Sequence, residues 1–201
     1  IDNDILSINN KERNIIKKID LNNTSKVAYF SICFGYNSYG LERDIDLNIY
    51  FKWQSYMSDF VISNISKNYF IKDHPKKFYN NILIKNYNRV LETSLNNIVN
   101  KYDLFIIDYP TASLAKLASS NKNIIFFDLG LRNLTVFAKE LIKKRCSVIK
   151  VDPYNPNINK DKFHKIVNKD YSNDFSYNFT LNNNFISEEE SIANTIISNI
   201  S

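Results

Sequence analysis

The chain has 201 residues, of which 44% are hydrophobic and 14% aromatic, a composition that allows a buried core and excludes a disordered or fibrous protein. Its 26 basic and 21 acidic side chains give a net charge of +5, which is too small and too dispersed to favour nucleic-acid binding. Cys33 and Cys146 lie far apart, and we expect both to be buried free thiols. There is no apolar run of about 18 residues and no signal peptide, so we expect a cytoplasmic protein without a membrane span.

The first half of the chain predicts strands that alternate with helices. The apolar run SKVAYFSICF at 25–34 predicts a buried strand, and apolar residues at helical spacing predict a helix over 46–64. A strand follows at 68–75, where a proline stops it, and a shorter strand is expected at 81–85. Apolar residues three and four apart then predict a helix over 89–101.

The second half continues this alternation more regularly. YDLFIIDYP at 102–110 contains four consecutive apolar residues and predicts the strongest strand, and the small residues at 111–120 predict a helix entered through a proline. NIIFFD at 123–128 predicts the next strand. The helix expected over 134–145 ends in three cationic residues, which the helix dipole favours. CSVIKVD at 146–152 predicts the last strand.

Buried strands that alternate with amphipathic helices predict an α/β fold, a Rossmann-like parallel sheet flanked by helices on both faces. We divide the chain into a lead-in or linker at 1–23, the Rossmann-like domain at 24–152 and an Asn-rich tail at 153–201. Helical signals recur in this tail at 160–168 and 186–200, and we expect the last helix to pack back on the domain. A start at Ile rather than Met suggests a piece of a longer protein.

Candidate site residues lie where strands end, because ligands of open parallel sheets bind beyond the carboxyl ends of the strands. His74 follows the second strand, where its imidazole can donate to a phosphate oxygen or transfer a proton; the alternative is a structural histidine before Pro75. Thr111 and Ser113 open a helix directly after a buried strand, which suits anion binding. Ordinary helix capping is the alternative for both.

Two further candidates end neighbouring strands. Asp108 could form a hydrogen bond to a ribose or orient a loop; the alternative is that it caps the turn. Arg132 could contact a phosphate; the alternative is that it forms an exposed salt bridge. The sequence has no glycine-rich dinucleotide or P-loop motif and no GxSxG, and its Cys and His spacing excludes a zinc cluster. We therefore expect no metal and no cofactor.

The order of these segments carries a family resemblance. A strand ending in IKDHP precedes the strand, turn and helix of YDLFIIDYPTASL, and NKNIIFFD comes next. This arrangement resembles the C-terminal, donor-binding half of GT-B glycosyltransferases of bacterial surface polysaccharide synthesis. The similar enzymes are of the capsule, lipopolysaccharide and teichoic-acid type, and carry a K-x-HP motif followed by a D-Y-[SP]-[ST]-x-[ST] motif. The likeness covers roughly residues 25–150.

The resemblance implies a GT-B fold and a nucleotide-sugar donor as substrate. It implies that His74, Pro75, Thr111 and Ser113 contact the phosphates of the donor, with Asp108 supporting the turn. It also implies a carbohydrate or lipid-linked acceptor. The general base of such enzymes comes from an N-terminal domain, so no catalytic residue is assigned here.

The chain departs from the family pattern at two places. Relatives often have a Glu that can bond the donor ribose where this chain has Lys116, and a cation cannot accept hydroxyl protons. The usual G-K-P before the next strand reads Asn-Lys-Asn at 121–123. These departures keep two alternatives to a glycosyltransferase open: a non-catalytic nucleotide- or sugar-binding or assembly module, and a sugar-nucleotide epimerase. The mild positive charge also suits peripheral contact with the inner face of an anionic membrane.

Overall fold

A computed structural model describes residues 25–32, 45–74, 87–91, 94–118 and 120–167. The expected lead-in at 1–23, the short strand at 81–85 and the helix at 186–200 lie outside these residues, as do Cys33 and Pro75.

The described residues form one sheet of six strands. Every neighbouring pair is parallel, and the spatial order is β3-β2-β1-β4-β5-β6. This is the strand order typical of Rossmann folds. The strands are β1 (Val27–Phe30), β2 (Tyr69–Lys72), β3 (Asn88–Arg89), β4 (Leu104–Ile107), β5 (Asn123–Asp128) and β6 (Ser147–Lys150).

Five helices connect or follow these strands in the described residues. The first begins after Asp46, whose carboxylate accepts hydrogen bonds from the backbone N–H groups of Asn48 and Ile49, a normal N-terminal cap. Thr135 caps the fourth in the same way, accepting from the N–H of Ala138. The helices are α1 (Leu47–Asn64), α2 (Leu95–Lys101), α3 (Ala112–Ala118), α4 (Val136–Arg145) and α5 (Lys160–Val167).

The helices cover both faces of the sheet. Leu104 and Ile106 of β4 face a core that α1 and α5 cover. Phe105 and Ile107 face a second core, which α2, α3 and α4 cover. This alternation is that of a strand buried on both sides, and it confirms the predicted α/β sheet with helices on both faces.

The predicted helix over 89–101 is wrong at its beginning. Asn88 and Arg89 instead pair with β2 as β3, and the N–H of Val90 continues the pairing by donating to the carbonyl of Ile71. The helix begins only at Leu95. Pairing at the edge of the sheet therefore outweighs the helical spacing of apolar residues, and Leu91, expected on the buried helix face, is 86% exposed.

Arg145 stabilises the packing of α3 against α4. The sequence places it with two lysines at the end of α4, but its side chain is only 1% exposed. Its Nε donates to the carbonyl of Ala118 at 2.8 Å, and its Nη2 to those of Ser120 and Lys122 at 2.7 Å each. The guanidinium thus satisfies carbonyl groups at and beyond the C-terminus of α3. Burial lowers the pKa of this guanidinium. The neighbouring Cys146 is a buried free thiol, as predicted.

The first part of the expected tail packs on the sheet. The helical signal at 160–168 corresponds to α5, whose Phe163 lies edge-on to Phe60 of α1, with the ring centroids 4.9 Å apart. Ile158 is buried in the same core, and its N–H donates to the hydroxyl of Tyr56. None of the helices in the described part of the chain is long and apolar enough to cross a membrane.

Candidate functional site

A pocket of about 230 Å³ lies at the carboxyl ends of β1, β2 and β4. The chain leaves β1 for β2 on one side of the sheet and leaves β4 for β5 on the other. A crevice opens at such a reversal, and it is where open α/β sheets bind ligands. The pocket is lined by Phe30, Ser31, Ile32, His74, Tyr109, Thr111 and Ser113.

Three residues predicted from the sequence line this one pocket. His74 follows β2, and Thr111 and Ser113 follow β4. They are brought together because β1 alone separates β2 from β4 in the sheet. Ser31 and Tyr109 are two polar lining residues that the sequence reasoning missed, although their positions directly beyond β1 and β4 could have indicated them.

The side chains of the pocket wall offer several hydrogen-bond donors. Hydroxyl groups come from serine, threonine and tyrosine, and the imidazole of His74 can donate as well. Its seven lining residues include no lysine, arginine or carboxylate. The backbone N–H of Leu114 donates to the carbonyl of Thr111, and α3 is only seven residues long. Side chains are therefore the principal polar groups that a ligand would meet here.

The pocket volume limits what it can enclose. Pockets that bury a drug-sized molecule measure roughly 300–1,000 Å³, and this one is about 230 Å³. Its volume suits a small group such as a phosphate or pyrophosphate.

Asp108 does not line this pocket. It is 2% exposed and lies two residues beyond Ile106, on the face that α1 covers. Its Oδ2 accepts hydrogen bonds from the hydroxyl of Tyr29 at 2.7 Å and from Trp53 Nε1 at 3.0 Å. Its Oδ1 accepts from the hydroxyl of Tyr50 at 3.1 Å. Burial raises the pKa of the carboxyl to about 6, although these three hydrogen bonds oppose the rise.

Arg132 lies behind the pocket wall. Its Nε donates to the hydroxyl of Tyr109, and its guanidinium carbon lies 5.1 Å from the centre of the same ring, a cation–π distance. It lines a second, much smaller depression together with Asp128. Tyr109 thus separates this cation from the pocket.

The positions at which the sequence departs from the family that it resembles, Lys116 and 121–123, lie away from the pocket wall. Lys116 is exposed on α3 and is not among the lining residues. Within the described stretches, no group of three or more His, Cys, Asp or Glu side chains is placed to hold a metal ion.

Strand order and pairing define this part of the chain as a Rossmann-like α/β domain with a polar pocket where the strand order reverses. The chain matches no protein-family model, and comparisons with curated proteins and with solved structures find no match.

Proposed function

We propose that the chain is the donor-binding domain of a GT-B glycosyltransferase of cell-surface polysaccharide synthesis, using a nucleotide sugar as substrate. One observation carries the proposal: His74, Thr111 and Ser113 line a single pocket at the reversal point of the sheet. They are the residues that the sequence resemblance associates with donor phosphates.

The chemistry of the wall fits this role. The imidazole and the hydroxyl groups donate hydrogen bonds to phosphate oxygens, and they stabilise the negative charge that develops on the departing nucleotide. Arg132, on the far side of Tyr109, adds positive potential behind the wall.

Nucleotide binding tests the proposal. UDP or CMP is expected to raise the melting temperature of the protein, because a ligand that binds only the folded state stabilises it. His74→Ala is expected to abolish the shift. His164→Ala is the matched control, since His164 lies on α5 and is not among the residues that line the pocket. Absence of a shift in the wild-type protein with either nucleotide would refute the proposal.

A non-catalytic binding module is the second candidate. The absence of any carboxylate among the seven lining residues favours it, as does the lysine at position 116. The two candidates differ in turnover: the transferase releases nucleotide from its donor when its full gene product is supplied with acceptor, and the module binds nucleotide without releasing it. An epimerase would need carboxylates in the cleft, and the pocket wall has none.

We extend the proposal to peripheral contact with an anionic membrane, which would bring a lipid-linked acceptor to the pocket. Val136 and Phe137 begin α4 at the carboxyl edge of the sheet and are 79% and 67% exposed. Lys139, Lys143 and Lys144 are exposed further along the same helix, where Lys143 is paired with Glu140. Apolar side chains beside lysines are a combination that binds anionic lipid surfaces.

A further inference from the structure

The buried carboxylate of Asp108 lies next to β1 and β4, two of the three strands whose ends form the pocket. Tyr29 of β1 and Asp108, which follows β4, are joined by a 2.7 Å hydrogen bond. The residues immediately after each of them, Phe30 and Tyr109, line the pocket. One layer of residues therefore separates the carboxylate from a ligand in the pocket.

The groups that hold Asp108 carry no positive charge. Its three side-chain hydrogen-bond donors are tyrosine and tryptophan groups. The titratable or charged groups that face it are Tyr29 of β1, Tyr50 of α1, Tyr69 of β2, and Asp128 and Arg132 from the end of β5. Arg132 is the one cation among them, and it is bonded to Tyr109. An anion that enters the pocket thus meets the like charge of Asp108, which has no cationic hydrogen-bond donor among the described residues, as well as the positive potential of Arg132 behind Tyr109.

The hydrogen-bond network can accept a proton without leaving a buried donor unpaired. A proton on Oδ1 would donate to the hydroxyl oxygen of Tyr50, which now donates to Oδ1. The hydroxyls of Tyr50 and Tyr29 lie 3.1 Å apart, and either can be the donor. Tyr50 can therefore turn its hydrogen towards Tyr29, while Tyr29 and Trp53 continue to donate to Oδ2.

We propose that binding of an anion in the pocket is coupled to protonation of Asp108, so that the protein takes up a proton from solvent at Oδ1 when the anion binds. The coupling rests on the proposed function, in which the pocket takes a phosphate group. Two like charges separated by one layer of residues, at an effective dielectric of about 20, would repel enough to change affinity about tenfold. The pKa of Asp108, raised to about 6 by burial, puts this proton within reach of neutral conditions.

The test compares the pH dependence of binding in wild type and in Asp108→Asn. The probe is whichever of UDP, CMP and inorganic pyrophosphate binds wild type best, titrated calorimetrically from pH 5 to 8 in buffers of different ionisation enthalpy. The ligand itself titrates with both proteins, and both keep every residue that lines the pocket, so the difference between them isolates Asp108. Wild-type affinity is expected to fall about tenfold more than that of the variant as pH rises, with greater proton uptake.

Equal pH slopes and equal proton uptake in the two proteins would overturn the coupling, while binding itself would still support the proposed function. Failure of all three probes to bind wild type would overturn both. Tyr50→Phe provides a second test if Asp108→Asn does not fold. It removes one donor from the carboxylate and is expected to shift the pH dependence of binding upwards. An unchanged profile in a folded Tyr50→Phe protein would also contradict the coupling.

Discussion

The ionisation of Asp108 should make the folded protein less stable as pH rises from about 4 to about 6. Burial raises the carboxyl pKa from 3.8, its ordinary value, to about 6 in the fold. Between these values the folded protein therefore holds more protons than the unfolded chain, and its free energy of unfolding falls as pH rises. A difference of about two pKa units corresponds to a loss of about 3 kcal/mol in the free energy of unfolding, and this loss is complete above about pH 6. This is opposite to the behaviour of a carboxylate stabilised by an ion pair.

Asp108→Asn is expected to remove this loss. The amide oxygen can accept from Tyr29 and Trp53, and the amide nitrogen can donate to the hydroxyl of Tyr50, which accepts as readily as it donates. The variant then keeps the hydrogen-bond pattern without the buried charge. Relative to wild type, its free energy of unfolding should increase by about 3 kcal/mol between pH 4 and pH 7.

Urea unfolding monitored by tryptophan fluorescence measures this difference directly. The chain has a single tryptophan, Trp53, which donates to Asp108, so the emission reports the network itself. Asp103→Asn is the matched control, because Asp103 is exposed and its carboxylate accepts a hydrogen bond from the backbone N–H of Lys26. A difference between Asp108→Asn and wild type that stays constant from pH 4 to pH 7, or shrinks, would refute the reasoning.

Two further predictions concern packing and the membrane surface. Arg145→Met should lower the free energy of unfolding by about 3 kcal/mol, because it leaves carbonyl groups at the end of α3 without their donor. Lys144→Met, at an exposed site on the same turn, should change the free energy of unfolding by less than about 0.5 kcal/mol. Losses of similar size in the two variants would contradict the capping role of Arg145. The Val136→Ser/Phe137→Ser double variant should bind vesicles containing anionic lipid about tenfold more weakly. Leu91→Ser, an equally exposed site at β3, should bind like wild type; equal sedimentation of all three proteins would exclude the proposed surface.

The sheet was largely predictable because buried parallel strands are continuous apolar runs. The four apolar residues of β4 and the six-residue NIIFFD run of β5 give the same signal in sequence and in structure. The sequence did not predict β3, because a two-residue strand at a sheet edge has no apolar run of its own. Its residues pair with Phe70 and Ile71, about 18 positions earlier in the chain.

The pocket residues were predictable one at a time, but their convergence depends on strand order. His74 and Thr111 are brought together only because β2 and β4 both pair with β1. The alternation of side chains along a strand is enough to predict that Asp108 faces away from the pocket, because it lies on the same side of β4 as Leu104 and Ile106. The rest of its network could not be foreseen. Tyr29, Tyr50 and Trp53 appear in the sequence as core aromatics, and nothing local shows that their polar atoms meet one carboxylate.

β1, β4 and α1 together determine the shape of the pocket wall and the position of the charged carboxylate behind it. β1 and β4 end in the pocket wall, and α1 holds their buried polar groups through Tyr50, Trp53 and the 2.6 Å bond from Gln54 Nε2 to the hydroxyl of Tyr29. Tyr109 of the pocket wall directly follows Asp108, and a proton on Asp108 reorients the hydroxyl of Tyr50, which lies 3.1 Å from that of Tyr29 on β1. Since the carboxylate has only uncharged donors, its charge is the component of this arrangement that a bound anion can most readily change.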